Sequence, residues 1–456
     1  MSDGAPRRHV STTYLVMLSV GMVVGAGIFK SPAEVAASAG SEAWVYLAWL
    51  AGGVLTLCGA LCYSELATAF PSTGGDYHFL ELAYGRRVAL FFAWTRFSVI
   101  NSGSIAFLGF VIGDYLDAVP LFHLGRGGPA IYAAISVVAL TLFNLRGTEK
   151  DESANYAMTA LQVGGLILIG VAALFLVLRG VPPALPSGPS MLGSPPASLG
   201  LAMVFVLLAF GGWSEIATLS AEVKDARHGM ARAHVVSIAV ITLLYVLVNW
   251  AFLRGLGFEG LARSSAPAAD LMARAFGASA ALLLALAVAL AAITSINATI
   301  MVGARTTYAA ARDFSALGSL GRWDDRRGLP RAAVWAQGAM SLGLVGLGAT
   351  TRNGFATLVD YTAPAFWVFM TLSSLGLMVL RYKHADAPRP FRTPLYPLPP
   401  LVFSAANLFM LWSSATYVAS LPERRLGLIS GAVVTLIGVV SIAFVERRAH
   451  TGSVSS

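Results

Sequence analysis

The stretch GMVVGAGIF, residues 21–29, lies at the centre of the first long apolar run and carries three glycines, Gly21, Gly25 and Gly27. Each glycine in a helix interior costs about 1 kcal/mol relative to alanine. In lipid the penalty grows, because a broken backbone has no water to bond. A chain that spans a bilayer here has weakened its own helix at mid-depth. The residues allow two explanations. Gly21 and Gly25 form a GxxxG face for close helix packing, or the helix unwinds at the glycines. Nucleotide-loop readings fail on spacing: GAGIFK lacks the third glycine of GxGxxG, and GAGIFKS lacks the glycine that precedes Lys-Ser in a phosphate-binding loop.

Of the 456 residues, 56% are hydrophobic and 12% charged; a soluble chain carries about twice that charge fraction. The apolar residues come in runs long enough to cross a membrane. They fall near 14–36, 43–69, 87–117, 129–146, 154–179, 199–222, 233–254, 278–311, 332–349, 355–381, 398–418 and 426–445. The alternating pattern of a β-barrel is absent. The expected fold class is an all-α integral membrane protein with 12 transmembrane helices.

An even number of spans puts both termini on one side. Most Lys and Arg residues, among them Arg86, Arg87, Arg146, Lys224, Arg381, Lys383, Arg447 and Arg448, fall on that side. The positive-inside bias makes both termini cytoplasmic, in a plasma or inner membrane. The net charge of +8 follows the membrane side without forming a continuous stripe, so no nucleic-acid partner is expected. MSDGAPRRHVSTTY lacks a cleavage site behind a short apolar core and reads as a tail, not a signal peptide.

The chain divides into a tail (1–13), a first half (14–180), an external loop (181–198), a second half (199–382), two further spans (383–446) and a tail (447–456). Segment 6, LAMVFVLLAFGGWSEIATLSAEV (201–223), is weakened as well, by Gly211 and Gly212 just before Trp213, Ser214 and Glu215. Segments 1 and 6 are five spans apart, so the second copy enters from the opposite face. Paired interrupted helices in matching positions of two inverted halves point to a transporter's binding site. Unwinding frees backbone N–H and C=O groups. The half-helix restarting near Gly27 is electropositive at its N-terminus and suits a carboxylate. Carbonyls left at the end of the preceding half-helix suit an ammonium group. An α-amino acid carries both charges at short range.

GMVVGAGIF, YSELATAFPSTGGDYHFL (63–80), FGGWSEIATLSAEVKDARHGMARA (210–233), TTYAAARDFSALG (306–318) and RPFRTPLYPLPPLVF (389–403) together resemble the amino acid–polyamine–organocation superfamily of permeases, more closely its L-type amino acid transporter branch. The resemblance implies a leucine-transporter-like five-plus-five inverted-repeat core with two peripheral helices. It also implies alternating access around a site between segments 1, 3, 6, 8 and 10. Carried over, the backbone of Val24, Gly25, Ala26, Gly27 and Ile28 would hold the substrate carboxylate. Carbonyls of Phe210, Gly211 and Gly212 would help hold the amine, with Phe210 or Trp213 as an aromatic lid. Many sodium-independent members place a lysine in segment 5; the matching position here is Gln162, a neutral amide. Sodium near segments 1 and 8, a proton carried elsewhere and uncoupled exchange all stay open. Thr294 and Ser295 are candidate oxygen ligands for sodium or helix–helix hydrogen-bonding groups. Heteromeric members use a cysteine between segments 3 and 4; DAVPLFHLGRGGP (117–129) has none, so no disulfide-linked ancillary subunit is expected.

Ionisable residues at membrane depth are functional candidates. Glu215 borders the second break as a counter-charge to a cationic substrate, a proton carrier or a cap on the restarted helix. For Glu65, near the cytoplasmic end of segment 2, the resemblance implies a structural or inner-gate role; Arg96 in segment 3 is a candidate partner for it or reaches the interface by snorkelling. Asn101 and Ser104 are pocket-lining or interhelical candidates, and Tyr361 is a gate candidate next to Asp360. Cys58 and Cys62 read as small buried residues. The seven histidines show no metal-ligand spacing, and no cofactor is expected. The functional expectation is a secondary active transporter of neutral amino acids, by uniport, exchange or ion-coupled uptake, the alternative a carrier of cationic amino acids or polyamines countered by Glu215. No polar stripe suggests a channel, and no nucleophile–base pair suggests an enzyme.

Overall fold

Long apolar runs have one way to satisfy their backbone in lipid without a closed barrel, and that is the α-helix. The computed structural model describes residues 10–72, 74–146, 152–185, 199–225, 228–312, 318–324, 327–420 and 425–453. Most of the expected 1–13 tail, residues 186–198 of the external loop and the last residues of the 447–456 tail lie outside them.

The first half contains α1 (Thr12–Val23), α2 (Ser31–Ala39), α3 (Glu42–Ala69), α4 (Asp76–Tyr84), α5 (Arg86–Thr95), α6 (Ser102–Asp117), α7 (Gly128–Asn144) and α8 (Glu152–Leu178). The second contains α9 (Leu199–Ala209), α10 (Gly229–Leu256), α11 (Phe258–Arg263), α12 (Pro267–Phe276), α13 (Ala278–Arg312), α14 (Arg331–Ala349) and α15 (Gly354–Lys383). Two more follow, α16 (Leu398–Ser420) and α17 (Arg425–Ser453). Each of the twelve apolar segments is occupied by helix. Among the described residues, eight helices are long and apolar enough to cross a membrane, nine if the bent pair Leu199–Ala209 and Trp213–Ser220 counts as one. Thr12–Val23, Gly128–Asn144 and Arg425–Ser441 are shorter apolar helices. α17 continues to Ser453, into the stretch read from the sequence as a tail.

Two features went unforeseen. α5 and α6 form one span of 32 residues, Arg86–Asp117, but its middle, Arg96–Asn101, winds as a π-helix. Such wide turns occur mostly at functional sites. A short helix, α4 (Asp76–Tyr84), also precedes the span itself.

Exposure follows the lipid. On α7, Ile131, Ile135, Val138 and Leu142 form an exposed apolar stripe at helical spacing, and Ile429, Val433, Leu436 and Val440 do the same on α17. The inner faces pack around α1, α9 and the second half of the α5–α6 span. The end of segment 6 meets the start of α1, where Lys224 N–H donates to the Val10 carbonyl at 3.0 Å. The side of the bundle where α1 begins is termed the N-face.

Candidate functional site

The first break falls among the glycines, as an inverse γ-turn. Val24 has φ −73 and ψ 58, and Gly25 N–H donates to the Val23 carbonyl at 2.7 Å. This geometry needs no positive φ. Gly25 itself is extended, φ −82 and ψ −176, and the chain restarts as a 3-10 turn, Ala26–Phe29, leading into α2. Backbone conformation therefore does not demand glycine at 25 or 27.

Surroundings separate the three glycines. A Cβ on Gly21 would lie 2.2 Å from the Thr159 hydroxyl of α8, so Gly21 serves close packing. A Cβ on Gly25 would make an ordinary contact with Ser295 Oγ at 3.5 Å, and one on Gly27 would meet nothing within 4 Å. The packing explanation thus accounts for Gly21 and leaves Gly27 unexplained. Gly25 and Gly27 are partly accessible, whereas Ala26 and Ile28 beside them are buried.

The second break is a turn over Phe210–Gly212, followed by a 3-10 segment, Trp213–Glu222, with a bend of 41°. Here glycine is obligatory. Gly212 has φ 104, and its Cβ would lie 2.8 Å from the Met22 carbonyl oxygen, so the two breaks abut. Gly211 N–H donates to the Leu208 carbonyl and Glu215 N–H to that of Gly212. The Gly212 carbonyl is therefore engaged, while those of Phe210 and Gly211 receive no hydrogen bond among the described residues.

Neighbouring helices hold the loose ends. The buried Tyr245 hydroxyl of α10 lies 3.0 Å from the Val23 carbonyl and 2.8 Å from that of Ala209, the last carbonyls of both half-helices. It has one proton and donates to one of them at a time. Gln162 of α8, with its amide nitrogen turned inward, donates to the Gly21 and Val24 carbonyls at 3.2 and 3.0 Å. Its role at this position is that of a neutral cap. Tyr245 escaped the sequence reading, because nothing marks one tyrosine in a long apolar helix as the tether of two distant breaks.

The remaining candidates divide. Ser295 faces the first break; both Ser295 and Thr294 donate to the Ala291 carbonyl of their own helix, at 3.0 and 2.8 Å. Asn101 lies in the π-turn, buried, with Nδ2 unpartnered and directed at Gly303 of α13. Tyr361 is buried in α15 and donates to the Ser98 carbonyl at 2.9 Å, tying α15 to the π-turn. The Phe210 ring is packed against Tyr245 at 5.0 Å and Trp49 at 6.2 Å. Trp213 stands edge-on to Tyr63 at 4.9 Å, on the N-face side. On the other side, Phe355 lies 5.7 Å from Phe107 and 6.2 Å from Phe205.

The ion pairs also require a correction. Arg96 does not pair with Glu65. Glu65 is fully buried and receives Arg381 through Nε and Nη2 at 2.8 and 2.6 Å, plus the Thr393 N–H at 2.7 Å. Arg381 comes from the last turn of α15, and the proline-rich loop after it folds back over the end of α3 to supply the Thr393 N–H, a long-range return that the order of residues does not reveal. Arg96 instead holds Glu215 at 2.6 Å and lies 4.0 Å from Asp76. Glu215 is therefore an ion-pair partner, and the 3-10 segment has no side-chain cap. On the other side of the breaks, Lys30 binds Asp114 and the Ser265 carbonyl, each at 2.8 Å. Tyr115 donates to the Phe29 carbonyl at 2.7 Å. Both approaches to the breaks are thus bridged in this conformation.

Comparison with known proteins agrees with this architecture. The family described as amino acid permease matches residues 10–443. The b(0,+)-type amino acid transporter 1 of Mus musculus is 26% identical over 400 residues, covering 87% of this chain and 80% of that one. The cystine/glutamate transporter of Homo sapiens is 27% identical over 436 residues, 95% and 84% of the two chains. The serine/threonine exchanger SteT of Bacillus subtilis (strain 168) is 24% identical over 418 residues, 90% and 92%. Two abutting helix breaks inside a multi-pass apolar bundle and a match over nearly the whole chain lead to one conclusion: the protein belongs to the amino acid permease family and is a membrane transporter, not an enzyme.

Proposed function

We propose that this permease is a secondary carrier of neutral amino acids that works by alternating access, with the substrate held between the breaks of segments 1 and 6. The observation that carries the reading is the contrast among glycines. Gly212 is required by its own backbone, φ 104, whereas Gly27 adopts no left-handed conformation and faces open space. A side chain absent where the fold would accept one leaves room for a ligand. The carboxylate would sit against the backbone of Val24–Ile28, where the restarting helix offers N–H groups, and the amine near the unoccupied Phe210 and Gly211 carbonyls.

In this reading the twelve segments all span, the first ten as an inverted five-plus-five repeat, with the N-face cytoplasmic. The bridges around Glu215 close the N-face side and those around Lys30 the opposite side. Relatives named as transporters or exchangers of amino acids support the substrate class. The alternative is a carrier of cationic amino acids or polyamines with Glu215 as counter-charge. The pairing of Glu215 with Arg96 at 2.6 Å favours neutral substrates, because that carboxylate is already matched.

The test is counterflow in proteoliposomes with radiolabelled leucine, alanine, arginine and putrescine. Saturable uptake of leucine or alanine, accelerated by the same compound on the trans side, is expected. Accumulation of only arginine and putrescine would reverse the substrate assignment, and flux without trans-acceleration would replace the carrier with a pore.

A further inference from the structure

Two buried charges, Arg96 and Asp76, meet the partly exposed Glu215 on the N-face side of the second break, and the three do not balance. Arg96 is 8% exposed and Asp76, at the start of α4, 7% exposed. The Arg96 guanidinium holds Glu215 at 2.6 Å and lies 4.0 Å from the second carboxylate, that of Asp76. One positive charge therefore faces two negative ones. The other close partners of Asp76 are neutral: Tyr63 of α3 donates to Oδ1, as does Ser373 of α15 at 3.1 Å.

Among the described residues, no other charge on the packed elements supplies the balance. Lys383 of α15 is engaged by the Ala83 carbonyl at 2.8 Å, and Arg381 by Glu65. Arg86 and Arg87 of α5 are exposed, and on α4 itself His78 and Glu81 are partly exposed. An uncompensated carboxylate in such a place costs several kcal/mol, and buried groups neutralise instead. Sodium is a poor neutraliser so close to a guanidinium, whereas a proton needs no coordination shell. Burial pushes the Asp76 carboxyl above its ordinary range, against the opposing pull of Tyr63, Arg96 and Ser373.

Geometry also provides a second state. Arg96 Nε has no hydrogen-bond partner, so Glu215 does not use the guanidinium fully. Glu215 lies on the segment after the break, partly accessible, while Asp76 lies on α4. Movement of the 213–222 segment away from the bundle would withdraw Glu215 and leave Arg96 to Asp76.

We propose that Asp76 is the proton-binding site of a proton-coupled carrier, protonated while Arg96 holds Glu215 and ionised when Arg96 turns to it. This rests on the alternating-access reading above. One proton from the solution on the side opposite the N-face joins the Asp76 carboxylate as the N-face closes, and it passes to the N-face solution as Glu215 withdraws; no other covalent bond is made or broken.

The experiment uses the full-length protein in proteoliposomes loaded with a pH-sensitive dye, with leucine or alanine as substrate. Wild type should show substrate-dependent proton movement and accumulate substrate up to about tenfold per unit of imposed ΔpH, the ratio that one proton per substrate allows. Asp76→Asn should keep counterflow and lose both. Ser373→Ala removes a donor to the carboxylate and should move the pH midpoint of proton-driven uptake upward, which tests the site even if the Asn variant fails to fold. Counterflow without proton movement in wild type, proton movement retained in Asp76→Asn, or an unmoved midpoint in Ser373→Ala would overturn the assignment. Absence of counterflow in wild type would instead remove the carrier function itself.

Discussion

Glycines 27 and 212 look alike in the sequence and do opposite things in the structure. A Cβ on Gly27 projects into open space, and one on Gly212 runs into the Met22 carbonyl at 2.8 Å from a backbone already at φ 104. Gly27→Val should therefore insert and retain the wild-type melting temperature in detergent, yet lose saturable uptake because the side chain fills the carboxylate's place. Uptake with an unchanged KM in that variant would count against the site. Gly212→Ala should do the reverse. It destabilises by about 1–3 kcal/mol through backbone strain alone, with further loss from the clash, and a melting curve matching wild type would show that the turn relaxes without difficulty.

Helices α1, α9 and α10 form the element on which the proposed site depends, because one hydroxyl spans the ends of two half-helices. Tyr245→Phe keeps the ring, which packs 5.3 Å from Trp49 and 5.0 Å from Phe210, and removes the donor to the Val23 and Ala209 carbonyls. An unsatisfied buried acceptor costs about 1–3 kcal/mol. The variant should melt lower and bind substrate more weakly, as measured by thermal shift with and without leucine. Equal stability and equal ligand-induced shift would mean that the breaks hold themselves. The π-turn of Arg96–Asn101 belongs to this scale as well: it places Arg96 against Glu215, and the Ser98 carbonyl within 2.9 Å of Tyr361.

Across the whole molecule, the N-face is fastened by the loop that returns from α15 to α3. Glu65 is fully buried between Arg381 and the Thr393 N–H. Glu65→Gln leaves Arg381 and the largely buried side chain of Arg389, 3.5 Å from the carboxylate, without their counter-charge, and breaking a buried pair on one side costs about 3–5 kcal/mol. Lower stability with the substrate preference unchanged is the expected outcome, read from melting curves and competition uptake. A changed substrate range would move Glu65 from fastening to recognition.

Composition and run length determined the helical, membrane-spanning class, and glycine clustering located both breaks to within a residue or two, because lipid forces helix on any apolar run and leaves few reasons to weaken one. Local chemistry also brought out Gln162 and Glu215 as residues of interest. Their partners were decided by tertiary structure alone. That Gln162 caps α1, that Glu215 binds Arg96 and not an open site, that Glu65 belongs to Arg381, and that Phe210 packs behind the break all depend on which faces of distant helices meet. Helical periodicity gives each side chain its direction about its own axis; only the packing of the bundle supplies what it points at.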